Sequence, residues 1–118
     1  MEHNPKAHLF DIYNACKKIQ EFIENKTLQE YAQNEILKAA VERKFLVIGE
    51  AMARLKRESF STVEKITDYE KIISFRNVLV HGYDVIDDST VWSAIIENIP
   101  LLLQEVKSLL EMELMLLS

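Results

Sequence analysis

The chain is poor in the residues that loops, bridges and membrane spans require. It has one cysteine, two glycines and two prolines in 118 residues. A lone Cys16 excludes an internal disulfide and a cysteine-rich zinc site, and it fits a reducing compartment. So few turn-formers argue against an all-β or loop-rich fold and favour helices. No apolar run approaches the ~20 residues that span a bilayer. The first residues, Met-Glu-His-Asn-Pro-Lys-Ala-His, lack the apolar centre of a signal peptide, so a cytoplasmic protein is expected. Basic residues are also outnumbered. The formal net charge is −5, which argues against a non-specific nucleic-acid coat but not against a few local phosphate contacts. The length suggests one domain over residues 1–118, large enough to fold around its own core.

What is present is helical periodicity. Leu9, Ile12, Cys16, Ile19 and Ile23 recur three and four apart and predict a first helix from Pro5 to about Asn25. Thr27 and Glu30 form a capping-box pattern. A long second helix is expected from Leu28 to Arg57, with one apolar stripe through Val41, Phe45, Ile48, Met52 and Leu55. A second stripe runs through Leu28, Ala32, Ile36, Ala39, Leu46 and Ala53 and implies another neighbour or a partner chain. Gly49 sits in mid-helix, where it costs about 1 kcal/mol relative to Ala; close backbone packing would justify it. A break at Ser59 and Ser61 precedes a third helix from Val63 to Val80 or beyond. Gly82 and the polar run from Asp84 to Ser89 read as its end and a loop. Asp87, Asp88 or Ser89 then caps a fourth helix, which Pro100 should kink. The apolar tail around Leu114–Leu117 must pack into the core or cover a partner. No strand alternation, repeat or linker is visible. The simplest packing is all-α, an antiparallel up-down four-helix bundle.

One stretch stands out chemically: Arg76-Asn77-Val78-Leu79-Val80-His81-Gly82-Tyr83. Ile72 to Val80 is otherwise apolar and is expected to be buried. Polar groups there must be paired or face a cleft, because an unpaired buried charge is very costly. On a regular helix Arg76 and Tyr83 lie nearly on one face, whereas His81 is displaced by about 140° from Arg76. The Arg and His therefore converge only if the helix end distorts or if two copies of the motif meet across a two-fold axis. Two readings stand at this point. Arg76 can hold a phosphate and stabilise transition-state charge, with His81 as general acid or base and Asn77 orienting either. Alternatively, Arg76 pairs with Glu50, His81 caps the helix and Tyr83 packs.

The same stretch matches the R-x-x-x-x-H-x-Y signature of the HEPN superfamily and resembles its HepT-like branch. A polar residue after the Arg, here Asn77, belongs to that pattern. Ala40 to Ala51, containing Gly49-Glu50-Ala51, and Val91-Trp92 followed by Ile99-Pro100 are also similar to it. The resemblance implies an all-α bundle that forms a homodimer with both motifs facing one cleft. It implies a metal-independent endoribonuclease with Arg76 and His81 as the catalytic pair, supported by Asn77 and Glu50, using no cofactor and acting on RNA. Such a protein would be the toxin of a toxin–antitoxin pair. Its partner would be an MNT-type minimal nucleotidyltransferase that silences it by transferring AMP to Tyr83. The competing expectation is a non-catalytic nucleotide- or substrate-binding subunit of a two-component nucleotidyltransferase; a purely structural dimer is the third.

Smaller signals read more simply. His3 and His8 have no Cys or carboxylate cluster to complete a metal site. Asp84, Asp87 and Asp88 fit a solvated, capped loop. Arg54, Lys56 and Arg57 form a basic helix end, either solvated or tracking an RNA backbone.

Overall fold

A computed structural model describes residues 4–81 and 86–116. Among these residues every regular element is helical. α1 is Lys6–Phe22, α2 Leu28–Ala32, α3 Glu35–Glu58, α4 Phe60–Val63, α5 Tyr69–His81, α6 Asp88–Ser93 and α7 Ile99–Leu116. A π-helical turn, Ala94–Asn98, joins α6 to α7. No helix among the described residues is long and apolar enough to cross a membrane.

α1 lies against both α3 and α7, while α5 is mounted on α3. Leu9, Ile12 and Ile19 from α1 meet Val41, Ile48 and Met52 from α3 and Leu102 and Val106 from α7 in one apolar cluster. Burying each such side chain is worth about 1.5–3 kcal/mol. The 3.6-residue spacing puts these residues on one face of each helix, so the sequence stripes become the core.

Local chemistry sets the helix ends. Thr27 and Glu30 close a reciprocal capping box: Glu30 N–H donates to Thr27 Oγ1 at 3.1 Å and Thr27 N–H to Glu30 Oε1 at 2.9 Å. The expected helix from Leu28 to Arg57 is broken at Gln33 and Asn34. The Asn34 carboxamide accepts from the Leu37 N–H at 3.0 Å, which starts α3 afresh. Side chains of this kind compete with helix continuation by bonding nearby backbone. The helix expected from Val63 starts later, at Tyr69. α4 is a single turn, and Asp68, with φ of 57°, reverses the chain before α5. Asp tolerates this left-handed conformation better than most residues. Asp87 caps α6 through the Ser89 N–H at 3.2 Å.

Pro100 lies in the first turn of α7, directly after a π-helical turn. Its ring would clash with the carbonyl four residues earlier, and it lacks an N–H to donate there. The turn immediately before it, Ala94–Asn98, is widened to π geometry, the usual accommodation for such an interruption.

One burial expectation is corrected. Residues 72–80 are not buried: no residue of α5 is, and Val78 and Val80 are 54% and 49% exposed. The cause is that α5 is bound along one flank. Between it and α7 stands a cavity of about 350 Å³ lined by Phe45, Ile72, Phe75 and Leu102. The second stripe of α2 and α3 also faces outward in part, with Ile36 84% exposed. Leu114, Met115 and Leu116 are exposed rather than packed in the core.

Candidate functional site

The site is built where α5 crosses α3. Phe75 meets Phe45 edge-on, ring centroids 5.1 Å apart, on the side of the crossing that faces the core. The next residue, Arg76, comes down over Gly49. A methyl group added at Gly49 would fall inside the Arg76 side chain, 2.5 Å from its Cγ. Only a residue without Cβ lets the two helices approach this closely, which accounts for the mid-helix glycine.

This contact fixes the root of the Arg76 side chain. Its Nε is buried with no hydrogen-bond partner among the described residues. Its Nη1 donates to Asn77 Oδ1 at 2.8 Å. Asn77 is exposed and neutral, so it orients the guanidinium without neutralising it. The guanidinium keeps its full charge and spare donors, the arrangement that suits a phosphate oxygen.

Glu50 is not the partner of Arg76. No ion pair joins them among the described residues, and Glu50 is exposed. It borders a small cavity of about 60 Å³ shared with His8, Asp11 and Arg54. The reason is positional: Glu50 is one residue beyond Gly49 and so points about 100° away from the crossing.

His81 is the last residue of α5 and is exposed. α5 is helical from Tyr69 through His81, so the expected separation of about 140° from Arg76 holds within one chain. The two side chains are not brought together here. Gly82, Tyr83 and Asp84 lie outside the described residues, as does His3. His8 belongs to α1 and its Nε2 lies 3.3 Å from Glu58 Oε1, joining α1 to the end of α3. Among the described residues no cluster of His, Cys, Asp and Glu could hold a metal ion.

Sequence reasoning found the motif but not what positions it. Mid-helix Gly49 was the available signal; that Arg76 occupies its space depends on the helix crossing. It also missed Tyr31, which is fully buried against Trp92 with ring centroids 5.7 Å apart. Its hydroxyl has no partner among the described residues. Burial, then the charges of Glu42 and Asp88, push its ionisation well above the ordinary tyrosine range.

With this geometry in place, the comparisons define the family. The profile of the ribonuclease HepT-like family matches residues 12–109, and the chain belongs to that family. It is 30% identical over 105 residues to the "Putative RNase MJ1380" of Methanocaldococcus jannaschii, covering 86% of this chain and 93% of that protein. It is 27% identical over 109 residues to the "Putative RNase TTE0752" of Caldanaerobacter subterraneus, covering 92% and 96%. A third relative is the "Probable ribonuclease HepT" of Thermococcus cleftensis, 26% identical over 100 residues, with 85% and 90% covered. No solved structure matches significantly.

Proposed function

We propose that the protein is a metal-independent endoribonuclease in which Arg76 and His81 carry the chemistry. The observation behind this reading is the seating of Arg76: pinned over Gly49, steered by Asn77 and without a carboxylate partner among the described residues. A half-buried arginine kept for stability would be expected to face a carboxylate. This one is held ready for an anion from outside.

The reaction follows from the groups. His81 takes the proton of a ribose 2′-hydroxyl. The 2′-oxygen bonds to the adjacent phosphorus as the bond from phosphorus to the 5′-oxygen breaks. Arg76 offsets the negative charge that grows on the phosphoryl oxygens. The products are a 2′,3′-cyclic phosphate and a 5′-hydroxyl end, the latter protonated by a second acid. A second copy of the motif supplies that acid and brings a histidine opposite each arginine. We therefore read the protein as a homodimer of up-down four-helix bundles. The exposed apolar side chains Val78 and Val80 beside the motif support this reading.

Within this reading the protein is the toxin of a toxin–antitoxin pair. An MNT-type nucleotidyltransferase transfers AMP to Tyr83, adding a phosphate and bulk to the motif. Incubating the protein with ATP, magnesium and that nucleotidyltransferase adds AMP-sized mass to Tyr83. An unmodified mass, with the transferase active on another substrate, counts against the modification.

The nuclease reading is tested by RNA cleavage in excess chelator with wild type, Arg76→Ala and His81→Ala. Wild type cleaves and both variants lose activity by about 100-fold or more. A wild type that never cleaves, or a fully active His81→Ala, ends the proposal. The second reading, a non-catalytic nucleotide-binding subunit, draws on the separation of Arg76 and His81 within one chain. Expression in cells separates the two, because a toxin arrests growth and a binding subunit does not.

A further inference from the structure

The chain contains four arginines, Arg43, Arg54, Arg57 and Arg76, against ten lysines. Lys18, Lys38, Lys56 and Lys71 each pair with a carboxylate, Lys56 with Glu70 at 2.9 Å. None of the four arginines enters an ion pair among the described residues. Arg43, Arg54 and Arg57 are exposed.

They also share a direction. Taking Gly49 as zero on the α3 wheel, Arg57, Arg43 and Arg54 fall at about 80°, 120° and 140° to one side. Phe45 falls about 40° to the other side, where it meets Phe75. Arg76 follows Phe75 and its stem lies over Gly49, about 80° round α3 from Arg57. Along the α3 axis Arg76 enters about 9 Å from the level of Arg43 and about 7.5 Å from that of Arg54. The whole row covers about 21 Å from Arg43 to Arg57. Between Arg57 and Arg54 on the wheel Glu50 is the one carboxylate of α3, so this strip carries three arginines against one acid on a chain of net charge −5, while Glu42 and Glu35 fall at about 20° and 40°, between the strip and Gly49.

We propose that this face of α3 is a track for the phosphates of a single RNA strand, which it threads through Arg76. Arginine is the residue suited to this work, since its planar fork binds phosphate oxygens and is less strongly hydrated than an ammonium. Three guanidiniums within about 60° of the α3 surface, with Arg76 beside them, match a linear polyanion, whereas a single free nucleotide would engage only Arg76. The proposal rests on the nuclease reading for the identity of the strand, but it is a claim about binding and can fail separately.

The test uses His81→Ala protein, to keep RNA intact, and a short fluorescein-labelled oligouridylate followed by anisotropy across a salt series. Adding Arg43→Gln, Arg54→Gln and Arg57→Gln weakens binding about tenfold or more at low salt. It also flattens the slope of log affinity against log salt by about 2, at roughly 0.7 per lost phosphate contact. A control set removing equal charge elsewhere, Lys17→Gln, Lys26→Gln and Lys107→Gln, leaves the slope unchanged. The track is overturned if the arginine set leaves affinity and slope as they were, if the control set has the same effect, or if the parent protein does not bind the RNA. Cleavage by wild type is scored in parallel. Its absence overturns the nuclease reading, while a flattened slope still upholds the track.

Discussion

Gly49 and Arg76 occupy one space: the arginine stem lies where a Cβ on residue 49 would have to be. The closeness of α3 and α5, and so the position of the motif, is set by an absent methyl group. Gly49→Ala gains about 1 kcal/mol of helix propensity. It also forces a clash with the Arg76 stem, and overpacking of this kind costs about 1–3 kcal/mol. The second effect wins, because the atoms in the way are Cβ and Cγ, which cannot swing aside. Chemical denaturation will show a small net loss of stability, and RNA cleavage will fall about tenfold or more as the guanidinium is displaced. Full activity in Gly49→Ala would show that Arg76 needs no such seat.

Asn77 works through Arg76. Asn77→Ala removes the acceptor that holds Nη1, and because Asn77 is exposed the fold loses at most about 0.5 kcal/mol. Cleavage falls by about tenfold, while Asn77→Asp supplies an acceptor but adds a charge that competes with phosphate. The expected order of activity is wild type, then Asn77→Ala, then Asn77→Asp. Thermal melts of all three should nearly coincide; a melt that tracks activity would reduce Asn77 to a structural role.

These effects show what could and could not be read from the chain. The core stripes of α1 and α3 were legible because spacing of three and four residues translates directly into one buried face. The cap at Thr27 was legible, and the one at Asp87 was narrowed to three neighbouring residues, because caps are local hydrogen bonds. The break at Asn34 was missed because an apolar stripe seemed to run through it, and the carboxamide bond to Leu37 overrides that pattern. The exposure of α5 was missed for a different reason. Apolar composition says that a segment seeks cover, not that the same chain provides it. Arg76, Asn77 and His81 were named from sequence, but their support was not, because the Gly49 contact joins residues 27 positions apart.

Tyr31 gives a test of the core. Its hydroxyl is buried without a partner among the described residues, and such a group carries a desolvation penalty of about 1–3 kcal/mol. Tyr31→Phe removes the oxygen and keeps the ring against Trp92. The variant should be at least as stable as wild type in urea titrations. A loss above about 1 kcal/mol would mean that the hydroxyl is satisfied in solution.

Cys16 should be chemically silent in the folded protein. It is fully buried, and that burial pushes its thiol up to about 12. Near neutral pH the thiol form therefore dominates, and the thiolate is the reactive species. A thiol-reactive dye at pH 8 should label the folded protein far more slowly than protein unfolded in guanidinium. Raising the pH to 9 should speed labelling of the unfolded chain to near its plateau while the folded chain stays slow. Equal rates in the two states would refute the burial.

The division between lysine and arginine has one more consequence. Acetylation erases the charge of a lysine and cannot act on a guanidinium, which also stays protonated at any physiological pH. Acetylating Lys38 or Lys56 would cut ties between helices, from α3 to α6 and from α3 to α5. The charge of the arginine face would be unchanged. The arginine face would thus keep its charge even where those lysine ties between helices are erased.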